Sequence, residues 1–319
     1  MEIVPGIHRV QAPFGNRYMY QHLLIGDRVV LMDTGVSGTP ADLILPYLEG
    51  LGRKRSEVSL AVISHKDVDH FGGNAQLREL CPQVVIASHA EDAPYIEDPD
   101  WLVESRYNGF AREHGIFFSA EVLRNLREAG GGPCPVDLRL AGGESILMAR
   151  DWTVHVLHTP GHSPGHLSLF DPRSRAVIIC DAVLWRGLLT VDGTIAMPPT
   201  YTHPRDALST IDTLQRLEPE WLLTSHYPIM RGEEVTRFLA ESREFILRAD
   251  REIREALRDA GRPMTMQDLI GALDPRLGPY PPETTGDLVH PLTGHLRELT
   301  AAGVVRRTAE GERTAWVLA

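Results

Sequence analysis

The chain has 319 residues, of which 43% are hydrophobic and 24% charged, the composition of a soluble globular protein. That length predicts one large domain with a smaller one attached. The net charge of −11 argues against a protein that binds nucleic acid over its whole surface, and three scattered cysteines argue against a disulfide framework.

The N-terminus carries no targeting signal that we can identify. Residues 1–5 lack the basic and then apolar segments of a signal peptide, and no apolar run approaches the roughly 18 residues that span a bilayer. We therefore expect a soluble cytoplasmic protein that does not interact with membranes.

The first 90 residues alternate apolar runs with turn residues. Short apolar runs predict antiparallel strands near 7–10, 21–25 and 28–32, and Gly26-Asp27 closes a hairpin between the last two. Pro40 and Gly52 frame a predicted helix over 39–51 with Thr39 as its N-cap. Further along the chain, the same reasoning predicts a buried strand at 60–63, a helix at 74–80 and a strand at 84–87.

Residues 91–132 show a different pattern. Aromatic residues recur there at mostly helical spacing, and the segment ends in three glycines followed by Pro133. We interpret it as a helical insertion that borders a pocket. After it, apolar runs bounded by turn residues predict strands at 144–148, 152–157, 166–170, 176–180 and 221–224, and a helix at 204–217. The fold class is therefore α/β or α+β with two sheets.

The last part of the chain predicts a small separate unit. A long helix over 233–260, a capped helix that starts at Thr265, a helix around 295–299 and a hairpin about the turn 310–312 together give a winged-helix-like domain. Its residues 246–319 carry a net charge of only −1, so nucleic acid is not an expected partner. We expect this domain to pack against the rest of the chain or against a second subunit in a homodimer.

The most informative stretch is Ser64 to Gly73. It places two imidazoles, His65 and His70, and two carboxylates, Asp67 and Asp69, directly after a buried strand. Such a density of ligand atoms is typical of a metal site. Three further stretches place His162, Asp181 and His226 after strand-like runs. If these strands lie side by side, their carboxyl ends converge on a site large enough for two ions.

The ordered set Asp33, His65-x-Asp67-x-Asp69-His70, His162, Asp181 and His226, spread over residues 1–232, resembles the metallo-β-lactamase superfamily. The resemblance implies a four-layer αββα sandwich with a dinuclear site at one edge. It makes His65 and His162 ligands of the first metal, Asp69, His70 and His226 ligands of the second, and Asp181 the bridge between them. Asp33 would support these ligands from behind.

Asp67 departs from the commonest pattern of the superfamily, which has a third histidine there. A carboxylate at this position is closer to the diiron branches, which carry a glutamate. Zinc is the first expectation for the two divalent ions, with iron or manganese as alternatives because an anionic ligand makes the site harder. Tyr227, beside His226, is a candidate donor to a developing oxyanion, and His166 is interpreted as structural.

These features favour a metal-dependent hydrolase of small molecules. A metal-bound hydroxide would attack an ester, thioester, lactone, amide or phosphoester, with Asp69 orienting it or protonating the leaving group. A diiron oxidoreductase or oxygen-binding protein is the alternative that Asp67 suggests. A nuclease that uses the winged helix is a third. The catalytic domain is expected over 1–232 and the linking helix with the small domain over 233–319.

Overall fold

Two β-sheets stacked face to face dominate the computed structural model, which describes residues 1–311 and 313–319. In chain order the strands are β1 (Glu2–Val4), β2 (Ile7–Phe14), β3 (Arg17–Ile25), β4 (Val29–Met32), β5 (Val58–Ile63), β6 (Val85–His89), β7 (Leu138–Leu140), β8 (Ser145–Ala149), β9 (Trp152–His158), β10 (Leu167–Asp171), β11 (Ala176–Cys180), β12 (Leu188–Leu189), β13 (Ile195–Met197), β14 (Trp221–Thr224), β15 (Met230–Arg231), β16 (Met264–Thr265), β17 (Val305–Glu310) and β18 (Arg313–Leu318).

The helices lie mostly on the outer faces of these sheets. In chain order they are α1 (Leu45–Gly50), α2 (Val68–Phe71), α3 (Asn74–Leu80), α4 (Ala93–Glu97), α5 (Pro99–Leu102), α6 (Asn108–His114), α7 (Ala120–Gly130), α8 (Pro204–Leu217), α9 (Glu233–Ala260), α10 (Met266–Leu277) and α11 (Val289–Ala301). Pro40–Ile44 and Val103–Tyr107 form π-helical turns, and Arg55–Glu57 and Thr285–Leu288 form 3₁₀ turns.

The first sheet has the order β1 to β7, and the second has the order β15-β14-β11-β10-β9-β8. β4, β5, β6 and β7 run parallel, as do β11 and β14. A strand buried on both faces needs a continuous apolar run, and all four residues of β4 are buried. The parallel strands therefore send their carboxyl ends to one edge of each sheet.

Buried apolar residues fill three layers between these elements. Met32 and Val62 of the first sheet meet Leu167 and Leu223 of the second in the central layer. The outer face of the first sheet packs against α1 and α3, and that of the second packs against α8 and α9. This layering confirms the predicted αββα sandwich.

The helix predicted over 39–51 is present, but its start differs from the expectation. A π-helical turn precedes α1, and Thr39 itself has helical backbone angles (φ −53°, ψ −41°). Its hydroxyl accepts a hydrogen bond from the Val36 amide (3.1 Å), so it does not cap the helix. Short strands such as β1, β7 and β15 were not predicted, because two or three residues are too few to show an alternating pattern.

The C-terminal segment has the three predicted helices and the predicted hairpin, formed by β17 and β18. The hairpin belongs to a three-stranded sheet in which β18 lies between β16 and β17. Of the predicted hairpin turn, Glu312 lies outside the described residues. Thr265 caps α10 in a capping box with Asp268. The apolar core of α9, α10 and α11 is continuous with that of α8 and the second sheet. The boundary at residue 232 therefore stays a prediction.

His295 of α11 links the C-terminal segment to Tyr201, which precedes α8. Its Nε2 lies 2.9 Å from the Tyr201 hydroxyl, its Nδ1 lies 4.0 Å from Asp250, and Arg254 is nearby. Burial is the main cause that lowers the pKa of His295 to about 4. The folded protein therefore holds His295 neutral where the unfolded chain, with a histidine pKa of about 6.5, already binds a proton.

Stability is consequently expected to fall as the pH decreases from about 6.5 towards 4, by up to about 3 kcal/mol from this residue. Denaturant unfolding at pH 7.5 and 4.5 checks it. The difference in unfolding free energy between pH 7.5 and 4.5 should be smaller in His295→Gln, because glutamine cannot be protonated. An equal difference in both proteins would contradict the assignment.

Among the residues that the structure describes, no helix combines the length and the apolar composition needed to cross a membrane.

Candidate metal centre

Five chain segments meet at the edge where the parallel strands end. Asp33 follows β4, residues 65–70 follow β5, and Asp181 and His226 follow β11 and β14. His162 lies in the loop between β9 and β10. Two backbone hydrogen bonds tie the sheets together here, from Leu167 to Ser64 (2.8 Å) and from Tyr20 to Ser225 (2.9 Å). The predicted convergence is therefore observed.

The histidines of this edge share one orientation. Each uses Nδ1 for a contact outside the centre and turns Nε2 inwards. The Nδ1 contacts are His65 to Ser64 Oγ (2.9 Å), His70 to Asp33 Oδ2 (2.8 Å), His162 to Thr200 Oγ1 (3.5 Å) and His226 to the Tyr18 carbonyl (3.0 Å). Histidines that bind metals are typically oriented in this way.

The inward atoms fall into two groups whose ligand atoms lie within 4.8 Å of one another. In the first, Asp67 Oδ2 lies 3.1 Å from Nε2 of His162 and 3.7 Å from Nε2 of His65. In the second, Asp69 Oδ2 lies 3.3 Å from Nε2 of His226 and 3.8 Å from Nε2 of His70. Each group offers the imidazole nitrogens and carboxylate oxygen that borderline divalent ions bind.

Asp181 lies between the two groups. Its Oδ2 is 3.2 Å from Nε2 of His226 and 3.6 Å from Nε2 of His70, and it forms a further ligand group with His65 and His70. Within the described part of the chain, Asp181 Oδ1 and the Nε2 atoms of His65 and His70 are buried without a hydrogen-bond partner. Such atoms are costly to bury unpaired, so these residues fit a bound cation.

Asp33 holds Ser64 and His70 in place without belonging to either of the two main ligand groups. Its carboxylate accepts hydrogen bonds from the Ser64 amide (2.7 Å), the Ser64 hydroxyl (2.8 Å) and His70 Nδ1 (2.8 Å). Cys180 is also close to Asp33 and His70. Burial raises the pKa of the Cys180 thiol to about 12, which keeps it neutral. Because Asp33 and His70 Nδ1 already hydrogen-bond each other and Asp33 also accepts from Ser64, we do not count Asp33, His70 and Cys180 as a metal site.

The charges of the centre are strongly coupled. Burial alone would raise the pKa of Asp69, but the neighbouring His70 and His226 lower it to about 2. Burial alone would lower the pKa of His226, but Asp181 and Asp69 raise it to about 9, and the pKa of His70 is likewise raised by Asp69, Asp33 and Asp181. A divalent ion would displace these protons, so metal affinity depends on pH.

Two charged residues of the helical insertion, neither of them predicted, contact a ligand of the centre or the loop that carries one. Arg106 donates a hydrogen bond to Asp67 Oδ1. Asp92 is fully buried and accepts hydrogen bonds from the Ser163 hydroxyl and the Gly165 amide, the latter at 3.2 Å. A Cβ on Gly165 would lie only 2.8 Å from the Asp92 side chain, so this close approach requires glycine. Asp92 thereby fixes the loop that carries His162.

A cavity of about 640 Å³ opens onto Asp67, Asp69, Asp181 and His226. Its wall is largely aromatic and aliphatic: Phe14, Tyr107, Ile116, Phe117, Phe118, Leu188 and Met197. Arg17 and Arg106 supply positive charge, and Asp287 and His290 extend the wall from the C-terminal segment. The helical insertion therefore borders a pocket, as predicted, and the C-terminal segment does so too.

Tyr227 does not reach this cavity. Its ring is buried against Phe238, and its hydroxyl donates a hydrogen bond to the Gly187 carbonyl (3.0 Å). The phenolic proton is therefore already engaged, and the proximity of Tyr227 to His226 in sequence does not bring its hydroxyl to the site. His166 hydrogen-bonds Thr159 through Nδ1 (3.1 Å) and stacks on His65, which matches the structural role predicted for it.

Comparison with known proteins finds a matching family model and curated relatives. A family model described as the metallo-beta-lactamase superfamily matches residues 12–226. The chain is 26% identical over 258 residues to the probable metallo-hydrolase YflN of Bacillus subtilis, covering 75% of this chain and 90% of the relative. It is 23% identical over 295 residues to the probable metallo-hydrolase YqjP of the same organism, covering 83% and 90%.

Solved structures share the fold along the whole chain. A metallo-beta-lactamase family protein from Thermus thermophilus aligns with a TM-score of 0.73 at 20% sequence identity, covering 99% of each chain. At that identity the likeness shows the fold alone. It extends over both the sandwich and the C-terminal segment.

Proposed function

The chain belongs to the metallo-β-lactamase superfamily, which consists mostly of hydrolytic enzymes, and on that premise we propose that it is a dinuclear metal-dependent hydrolase. One observation carries the proposal. Side chains from both sheets form two groups of ligand atoms with Asp181 between them. His65, Asp67 and His162 would hold one ion, and Asp69, His70 and His226 the other. When bound, such ions acidify water and polarise a carbonyl or phosphoryl oxygen.

The chain's own residues would bind the substrate and move protons. Asp69 lines the cavity with its side chain 12% exposed, so it can orient the attacking water by a hydrogen bond or deliver a proton to the leaving group. The aromatic wall would bind an apolar group of the substrate and exclude water around the scissile bond. We infer an ester, thioester, lactone, amide or phosphoester substrate of small size, with the apolar wall favouring an acyl group.

The domain assignment belongs to the same proposal. Residues 1–232 would supply the metal ligands, and residues 233–319 would supply part of the substrate wall through Asp287 and His290. Because the C-terminal segment contributes to the cavity, we propose that its role is to shape the substrate pocket. Arg17 and Asp287 give the pocket charges of both signs, which suits a polar small molecule better than a nucleic-acid backbone.

Metal analysis and an activity screen test the proposal together. We expect about two divalent ions per chain, hydrolysis of at least one of the substrate classes named above, and loss of activity with a chelator that zinc, manganese or iron restores. Each bound ion, at 100 times its dissociation constant, should also stabilise the fold by about 2.7 kcal/mol, seen as a higher melting temperature.

The outcomes separate the candidates. Purified protein without any bound transition metal, and without a metal-dependent rise in melting temperature, would contradict the proposal. Two iron ions with an oxygen-sensitive visible spectrum and no hydrolysis would favour the diiron alternative, for which the carboxylate of Asp67 is the specific observation.

A further inference from the structure

Arg106 pairs with Asp67, a member of the first ligand group. It lies in the π-helical turn Val103–Tyr107 of the helical insertion, with its side chain only 12% exposed. Among the described residues, Asp67 is the one carboxylate within 4 Å of its guanidinium. The other buried cation nearby, Lys66, lies against Asp92 (4.0 Å) and over the ring of Tyr95 (3.8 Å). Arg106 and Asp67 therefore form a separate, largely buried ion pair.

The two oxygens of Asp67 have different partners. Oδ1 accepts the hydrogen bond from Arg106, whereas Oδ2 faces Nε2 of His162 and of His65. A carboxylate held in this way presents one oxygen, not both, to an ion between the histidines. Its rotation is restricted because Arg106 holds Oδ1 while Oδ2 lies against the two imidazoles.

The same pair also balances charge. Asp67 differs from a neutral imidazole by a full negative charge, and Arg106 carries a permanent positive charge against it. With this partner the first ligand group acts on an ion as two imidazoles and a compensated carboxylate. Without Asp67, the guanidinium would lie unpaired in a largely buried position beside a divalent cation, which is unfavourable for both.

We propose that Arg106 is a positioning residue of the first ligand group: it directs a single oxygen of Asp67 towards His65 and His162 and offsets the charge that Asp67 adds. The inference rests on the proposed metal centre but not on any particular substrate. It assigns to the helical insertion a role in metal binding besides that of a pocket wall.

A double-mutant cycle on the holoprotein tests it. The variants are Asp67→His, Arg106→Met and the double variant, and zinc affinity is measured by competition with a chromophoric chelator. With Arg106 present, Asp67→His should weaken binding of the first ion by about 10- to 100-fold, the usual cost of disturbing a residue that orients or ligates a metal. With methionine at 106, the same change should cost no more than about twofold.

Arg112→Met provides the matched control. Arg112 lies on the same insertion and pairs with Glu104 on the surface, with its side chain 61% exposed. Asp67→His should cost as much in the Arg112→Met background as in the natural chain. If Asp67→His prevents folding, Asp67→Asn enters the same cycle, because the amide keeps the shape and removes the charge.

The absorption spectrum of the Co²⁺-substituted protein reports on the ligands of the ion. A purely structural role of Arg106 would leave that spectrum unchanged. Replacing Arg106 with methionine should alter the visible absorption bands of the Co²⁺ protein, Arg106→Lys should recover part of the natural spectrum, and Arg112→Met should leave it unchanged. Equal losses on Asp67→His with arginine or methionine at 106, or an unchanged cobalt spectrum in Arg106→Met, would overturn the proposal. Coupling without hydrolysis of any substrate would leave it standing and refute the hydrolase assignment alone.

Discussion

Replacing Asp181 with alanine is expected to lower hydrolytic turnover by at least about a thousandfold, equivalent to about 4 kcal/mol in the activation barrier. The reason is its position. Asp181 Oδ2 lies 3.2 and 3.6 Å from the Nε2 atoms of His226 and His70, and its Oδ1 is buried without a partner among the described residues. Its removal takes a ligand from between both groups, so metal content should fall together with turnover.

Measured turnover and metal content per chain check this expectation, with Asp151→Ala as the control. Asp151 is an exposed aspartate in the turn before β9, so its loss removes the same charge at a distance from the centre. We expect the control to keep both metal and activity. An Asp181→Ala protein with two ions and natural turnover would refute the assignment of Asp181 to the centre.

Replacing Asp92 with alanine is expected to destabilise the fold by about 3–5 kcal/mol, the usual cost of breaking a buried charge pair. Asp92 is fully buried, accepts hydrogen bonds from the Ser163 hydroxyl and the Gly165 amide, and lies 4.0 Å from Lys66. Without Asp92, the ammonium of Lys66 would lose its carboxylate partner, and the loop that carries His162 would lose two hydrogen bonds. Metal affinity should therefore fall as well.

Denaturant unfolding and zinc competition measure the two effects. Asp100→Ala is the matched control, because Asp100 lies on the same insertion and pairs with Arg127 on the surface, with its side chain 80% exposed. Exposed pairs of this kind contribute about 0–1 kcal/mol. If Asp92→Ala were as stable as Asp100→Ala, Asp92 would not anchor the loop in the way we describe.

The seven metal-ligand candidates could be found in the sequence because each lies close after a strand. Buried parallel strands show as continuous apolar runs, and their carboxyl ends meet at one edge of a sheet, which accounts for Asp33 and His65 after neighbouring strands. That Asp181, which follows a strand of the other sheet, joins them was implied by the resemblance to the superfamily. The long helices α8 and α9 were predicted with their observed bounds because their apolar periodicity extends over many turns.

The supporting residues could not be found in this way. Arg106 pairs with Asp67 across 39 residues, and Asp92 reaches Ser163 across 71. No local pattern distinguishes them, least of all Arg106 in a chain whose basic residues are nearly all arginine. Tyr227 shows the converse error: its position next to His226 in sequence suggested a role, but successive residues of a chain point in different directions.

Both groups of ligand atoms draw on both sheets, and this has a consequence for how the fold comes apart. The first group combines His65 and Asp67, which follow a strand of one sheet, with His162 from the other, and the second group combines Asp69 and His70 with His226. Each bound ion would therefore cross-link segments about 90 or more residues apart, much as a disulfide does. The two sheets could then separate only after an ion had dissociated. On that basis the lifetime of the folded chain in a chelator follows the rate at which metal dissociates, which makes persistence a kinetic property of the loaded centre as well as an equilibrium property of the core.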